Sequence, residues 1–140
     1  NSSNSNSFTL SGNLTSSSGT LTMANASGTT ISLTGNLAGS ATLADNGGGT
    51  LTIGGASSNN GANTLNITNT ANTISLSGII GGTSGSVVEN GTGGTLILAA
   101  ANTYTGGTTL TAGTLTVSNN SGLGTGSVQV SSGANVKFIE

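Results

Sequence analysis

The stretch GTLILAAANTYTGGTTLTAGTLTV, residues 94–117, decides the fold class. It opens with GTLIL from Gly94 and closes with GTLTV from Gly113, and in both motifs apolar residues recur at every second position. Such alternation predicts a β-strand, whereas the Gly and Asn residues between the two motifs predict tight turns. The stretch therefore predicts short strands separated by sharp corners.

Both ends of this stretch belong to repeats that run along the chain. The GTL motif also occurs as GTLTM from Gly19 and as GTLTI from Gly49. A second motif, FTLSGNL from Phe8, returns as ISLTGNL from Ile31 and as ISLSGII from Ile74, so its copies start 23 and then 43 residues apart. Because the second interval is close to twice the first, the repeat unit is about 21–23 residues long.

A repeat of this length favours a single-stack solenoid over a sandwich of hairpins. A parallel β-helix places residues one coil apart above each other, about 4.8 Å along its axis, so like residues recur at the coil length. We therefore predict an all-β fold, a right-handed parallel β-helix (β-solenoid) of about six coils of roughly 20–23 residues. A polar segment at 1–7 precedes a single rod at 8–140, in which residues 8–73 form degenerate repeats.

The alternation also predicts which side chains point into the solenoid and where the chain turns. Glycine pairs at Gly54/Gly55, Gly81/Gly82, Gly93/Gly94 and Gly106/Gly107 predict corners, because glycine tolerates positive φ. The neighbouring Thr and Ser residues should face outward, with at most one buried hydroxyl per coil. The predicted inward residues are Leu10, Leu21, Met23, Ile31, Leu33, Leu51, Ile53, Leu65, Ile67, Ile74, Leu76, Leu96, Leu98, Leu110, Leu115, Val117, Val128 and Val130.

The composition excludes most chemistry. Gly, Thr, Ser and Asn fill 90 of 140 positions, and the only charged side chains are Asp45, Glu89, Lys137 and Glu140. One Lys cannot provide the phosphate contacts of a nucleic-acid-binding protein. Without His or Cys, and with three scattered carboxylates, neither a zinc nor a calcium site is expected. We predict no catalytic, cofactor-binding or metal-binding residues, no cofactor, no enzyme activity and no membrane span.

Three features still invite a functional interpretation. Asp45 and Glu89 lie 44 residues apart, and two coils would bring them roughly 10 Å apart, near the carboxylate separation of inverting glycosidases. Their contexts, ADNG and ENG, occur at corresponding points of two copies, which favours solvated corner acids. Tyr104 is expected to be structural at a corner. Thr pairs such as Thr114/Thr116 resemble ice-binding arrays, but we expect them simply to face solvent.

Residues 74–138 resemble a known family. The strings that carry the resemblance are GTLIL, NTYTGGTT at 102–109, AGTL at 112–115, GSVQV at 126–130 and SGA at 132–134. In this order they resemble the passenger-associated transport repeat of bacterial autotransporters, also called the autotransporter-associated β-strand repeat. Residues 31–65 follow the same order without NTYTGG and are interpreted as a degenerate copy. The resemblance implies an exported, right-handed β-helical stalk and hence a secreted or bacterial cell-surface location.

These observations predict a non-catalytic structural module of a secreted or cell-surface stalk or adhesin passenger. The alternative is a self-assembling extracellular fibre subunit that stacks end to end, and a glycan-active β-helix enzyme is a distant third. End stacking is suggested by VKFI at 136–139, a strand-like run with no predicted cap, because an uncovered coil exposes strand edges and apolar side chains. Besides another copy of the chain, the sequence leaves open a second kind of partner, a ligand on a host or matrix surface.

Overall fold

The computed structural model describes residues 8–11, 14–16, 20–23, 30–33, 37–39, 41–45, 50–54, 57–58, 64–69, 72–82 and 84–139. Over these residues the chain forms short β-strands and no helix. In chain order the strands are β1 (Phe8–Leu10), β2 (Leu14–Ser16), β3 (Thr20–Met23), β4 (Thr30–Leu33), β5 (Leu37–Gly39), β6 (Ala41–Asp45), β7 (Thr50–Ile53), β8 (Ser57–Ser58), β9 (Thr64–Asn69), β10 (Thr73–Leu76), β11 (Ile80–Gly81), β12 (Ser86–Glu89), β13 (Thr95–Leu98), β14 (Thr108–Leu110), β15 (Thr114–Val117), β16 (Val128–Val130) and β17 (Asn135–Phe138).

The strands stack into three parallel sheets. The first sheet has the order β1-β4-β7-β10-β13-β15-β17, the second β2-β5-β8-β11 and the third β3-β6-β9-β12-β14-β16. Within each sheet, neighbouring strands come from successive coils and run parallel. The chain thus visits each side in turn and returns one layer higher, which is the winding of a β-solenoid. The predicted fold class is confirmed, while its handedness stays a prediction.

The strand register sets the length of each coil. Ile74 pairs with Leu96, and Leu96 pairs with Leu115, so these two coils span 22 and 19 residues. About three turns have both strands and connections described, mostly within residues 72–82 and 84–139. This is fewer than the six or so coils predicted from the repeat, and strands β1 to β8 extend the same three sheets.

The core is built from alternate residues of the strands. In β9, β10, β12 and β13, burial alternates from each residue to the next, because successive side chains of a strand point to opposite faces. The inward prediction is confirmed at Leu65, Ile67, Ile74, Leu76, Leu96, Leu98, Leu110, Leu115 and Val117. The side chains of Leu10, Leu21, Met23, Ile31, Leu33, Leu51 and Ile53 lie outside the described part of the structure.

The last strand of the third sheet has the predicted inward register but is not buried, since Val128 and Val130 pair with the buried Thr108 and Leu110. Val128 is 44% exposed and Val130 is 49% exposed. Both belong to β16, which pairs with β14 on one side and has no described strand on the other. Both residues therefore lie at the end of the described solenoid, and no described strand covers them.

Two of the predicted glycine corners have the expected backbone. Gly82 and Gly107, the second residues of two pairs, adopt φ angles of 139° and 97°. At Gly107 an added Cβ would also lie 2.5 Å from the Ser127 carbonyl oxygen in the next coil. Conformation and close packing between layers therefore both require glycine at this corner.

One sequence repeat does not coincide with the structural repeat. The motifs GTLTI, GTLIL and GTLTV form β7, β13 and β15 in the first sheet, whereas GTLTM forms β3 in the third. All three sides of a solenoid present one face to the core, so they share the same alternating pattern. The pattern alone therefore identifies a strand without indicating the side on which it lies.

Candidate functional site

Several polar side chains are buried in the solenoid, where the alternation predicts mainly apolar ones; one of them, Thr116, lies in an outward column of the first sheet. These residues occur in strands and at corners. Several of them form hydrogen bonds that link neighbouring coils. The buried polar residues of the described part are Asn69, Asn72, Glu89, Asn102, Thr108 and Thr116.

Glu89 is the buried acid of this interior. It ends β12, pairs with Ile67 and Leu110 in the coils on either side, and has no exposed surface. Its Oε1 accepts a hydrogen bond from the Gly91 amide at 2.8 Å, whereas its Oε2 has no hydrogen-bond partner among the described residues. Burial raises the pKa of Glu89 to about 8, and the Gly91 hydrogen bond opposes part of that rise. The carboxyl is therefore mostly protonated at neutral pH.

The expectation that Glu89 is a solvated corner acid is wrong. Nor do the two acids occupy corresponding points, since Asp45 pairs with Asn69 while Glu89 pairs with Ile67, two residues earlier on the same strand. The side chain of Asp45 lies outside the described part. One signal could have located Glu89: in the strand SVVE it follows the buried Val87 by two residues, which places both on the inward face.

The corner after Glu89 is shaped to hold the side chain of Asn69. The Asn69 amide nitrogen donates to the carbonyl oxygens of Asn72 and Thr95, both at 3.0 Å. A Cβ added at Gly91 would lie 2.2 Å from Asn69 Oδ1, and one added at Gly94 would lie 2.2 Å from Asn69 Cγ. Both glycines therefore leave the space that a side chain of the coil below fills.

Asn102 links three layers of the solenoid through one amide. Its Oδ1 accepts from the Ile80 backbone amide at 2.8 Å, and its Nδ2 donates to the Gly122 carbonyl oxygen at 2.6 Å. The two partners lie 22 residues before and 20 residues after it. Because the side chain is buried, both hydrogen bonds are shielded from water.

Tyr104 is the largest fully buried side chain of the described core. Its hydroxyl hydrogen-bonds to Thr108 Oγ1, and Thr108 Oγ1 in turn donates to the Leu123 carbonyl oxygen at 3.2 Å. Burial raises the pKa of Tyr104, an effect that the Thr108 hydrogen bond opposes. Two hydroxyls are thus buried within one coil, so the prediction of at most one is wrong here. Mutual hydrogen bonding reduces the cost of burying them.

The outward Thr residues of the first sheet do not form an uninterrupted hydroxyl array. Thr73, Thr95 and Thr114 stack in register as a half-buried ladder. In the adjacent column, Ile97 interrupts the polar series, and Thr116 is only 7% exposed. The expectation that Thr116 faces solvent is wrong, and the interrupted column does not favour an ice-binding face.

The remaining candidate features lie apart from this interior. Lys137 is exposed on β17. Where the chain is described, no cluster of three or more His, Cys, Asp or Glu residues is placed to hold a metal ion. In that same part, no helix has the length and apolar character needed to cross a membrane.

The turn that contains Asn102 and Tyr104 lies in the part of the chain that matches a known family model. No curated protein and no solved structure matches the chain. Residues 93–117 match the model of the family described as Passenger-associated-transport-repeat. This segment comprises β13, the buried Tyr104, β14 and β15, and it is shorter than residues 74–138, which carry the resemblance in the sequence. The match confirms that residues 93–117 are similar to the autotransporter passenger repeat.

Proposed function

We propose that this chain is a structural module of a secreted or cell-surface passenger, a β-solenoid rod that extends or presents other parts of a protein without catalysis. The observation that carries the proposal is the in-register parallel stacking of the three sheets. The passenger-repeat match at residues 93–117 supports the extracellular setting.

Stacking of this kind suits a spacer because length grows with each coil. Each added coil lengthens the rod by about 4.8 Å and contacts only its neighbours. The first sheet gives every coil the same strand and register, as in Ile74, Leu96 and Leu115. A rod can therefore be lengthened without a new core design.

The spacer proposal predicts that whole coils can be inserted. A second copy of residues 73–134, placed after residue 134, brings Thr73 into the position of Asn135 above Thr114. The rod should then gain three coils, which lengthens its maximum dimension by about 14 Å at constant cross-section in small-angle scattering. A control insertion of residues 73–123 ends within a coil and should disrupt the stack. An unchanged length or a wider cross-section of the whole-coil variant would refute the spacer proposal.

We also propose a second candidate function, a fibre subunit that assembles end to end. The last described coil favours it, because Val128, Val130 and the 67% exposed Phe138 present an apolar end. Phe138→Ser should raise the concentration at which the chain self-associates by at least tenfold, as measured by sedimentation velocity. Lys137→Ser, on the other face of β17, should leave it unchanged. A wild-type chain that stays monomeric at every concentration would rule out this candidate.

A further inference from the structure

We propose that the carboxyl of Glu89 is a proton-operated lock: its protonated form closes the corner between adjacent coils, and loss of the proton loosens that corner. The proposal does not depend on which of the two functions above is correct. Neither the proposed spacer function nor the proposed fibre function requires Glu89.

The geometry surrounds this carboxyl with apolar groups and backbone. Ile67 and Leu110 are its neighbours in register, and both are fully buried. Gly91 donates its amide hydrogen to Oε1, and a Cβ at Gly113 would lie 3.5 Å from the same oxygen. The second oxygen, Oε2, is buried and has no hydrogen-bond partner in the part of the chain that the structure describes. An ionised carboxylate here would keep one buried oxygen without a hydrogen-bond donor among the described residues.

No described cation faces Glu89. The strands packed beside it, β9 and β14, contain no charged side chain, and neither do β10, β13 and β15 in the first sheet. Among the described side chains, the other buried titratable group is Tyr104, whose hydroxyl hydrogen-bonds to Thr108. Lys137 is exposed on β17, and Asp45 lies on β6, in register with Asn69. Ionisation would therefore place a charge without a described counter-ion in a buried corner, which strongly favours the protonated carboxyl or local opening.

The sign of the pH dependence follows from where each state titrates. The pKa of Glu89 is about 8 in the folded chain, against an ordinary value of 4.5. Between these pH values the unfolded chain has lost a proton that the folded chain retains. The folding equilibrium constant should then fall about tenfold per pH unit from about pH 5 to 8 and level off above that range. Glu89 therefore contributes more to the stability of the folded chain at pH 5 than at pH 8.

The test compares the wild type with Glu89→Gln, a neutral side chain of nearly the same shape. Urea unfolding from pH 5 to 9 should show the tenfold-per-unit decline in the wild type and in Lys137→Gln, an exposed control. Glu89→Gln should show no such decline. Hydrogen exchange should also show protection of the Gly91 amide falling with pH faster than that of Thr95, after correction for intrinsic rates.

A second measurement keeps the proposal testable if Glu89→Gln does not fold. Infrared spectroscopy of the wild type near pH 6.5 should detect a protonated carboxylic acid, which Glu89→Leu should lack while retaining the apolar column. A wild type without pH dependence, or a Glu89→Gln variant with the wild-type slope, would overturn the proposal. Absence of the protonated band in the folded wild type would do the same.

Discussion

Leu96→Asp should lower the free energy of unfolding by at least about 4 kcal/mol. Leu96 has no exposed surface and lies between Ile74 and Leu115 in the stacked column of the first sheet. The substitution removes a buried aliphatic side chain and introduces a carboxylate with no partner in that column. A domain of this size has only about 5–15 kcal/mol of stability, so much of it would be lost.

Thr95→Asp is the matched control for this experiment. Thr95 precedes Leu96 on the same strand, is only half buried and points to the opposite face. The same charge at this position should cost about 0.5 kcal/mol, as is usual at a solvated surface. Urea denaturation of both variants followed by circular dichroism measures the difference. Equal unfolding midpoints would contradict the assignment of inward and outward faces.

Tyr104→Ala should cost about 3–5 kcal/mol, the range found when buried aromatic side chains are truncated. The ring is fully buried, and the neighbouring coil is fitted closely to it. A Cβ added at Gly124 would lie 2.9 Å from the Tyr104 ring carbons. Removal of the ring would leave a cavity that the coil above cannot fill without moving its backbone.

Tyr104→Phe separates the contribution of the ring from that of the hydroxyl. It retains the packing and loses one hydrogen bond, while Thr108 can still donate to the Leu123 carbonyl oxygen at 3.2 Å. The expected cost is about 1 kcal/mol. Thermal and urea unfolding of the two variants measure both values. A Tyr104→Ala variant as stable as Tyr104→Phe would show that the ring does not support the core.

The strands and much of the core were predictable because they depend on local alternation and on the repeat. Residues such as Ile74, Leu96 and Leu115 have equivalents one coil away, so their inward position follows from the pattern. The same reasoning predicts corners at the glycine pairs that contain Gly82 and Gly107, and both of these residues have positive φ. The pair Gly93/Gly94 does not show positive φ. These features need no knowledge of which side of the solenoid each strand occupies.

The polar interior was harder to predict because its hydrogen bonds depend on contacts between coils. Asn102 is buried because Ile80 and Gly122 provide partners from other layers, and no local pattern reveals that arrangement. The Asn-Gly pair that follows Glu89 predicts a turn and hence a solvated corner. In the structure, the preceding strand β12 includes Glu89 as its last residue. Val128 has the inward pattern but remains exposed, since burial also requires a covering layer.

Disulfide formation between introduced cysteines tests the stacked, in-register solenoid most directly, because the chain has no cysteine of its own. Ser75 and Ile97 are register partners on the outer face of β10 and β13, a placement that suits the short Cα separation of a disulfide. The double variant Ser75→Cys/Ile97→Cys should therefore oxidise readily in the folded chain. Ser75→Cys/Ala99→Cys, shifted by two residues, should not. Equal or faster closure of the shifted pair, or closure of neither pair, would contradict the solenoid.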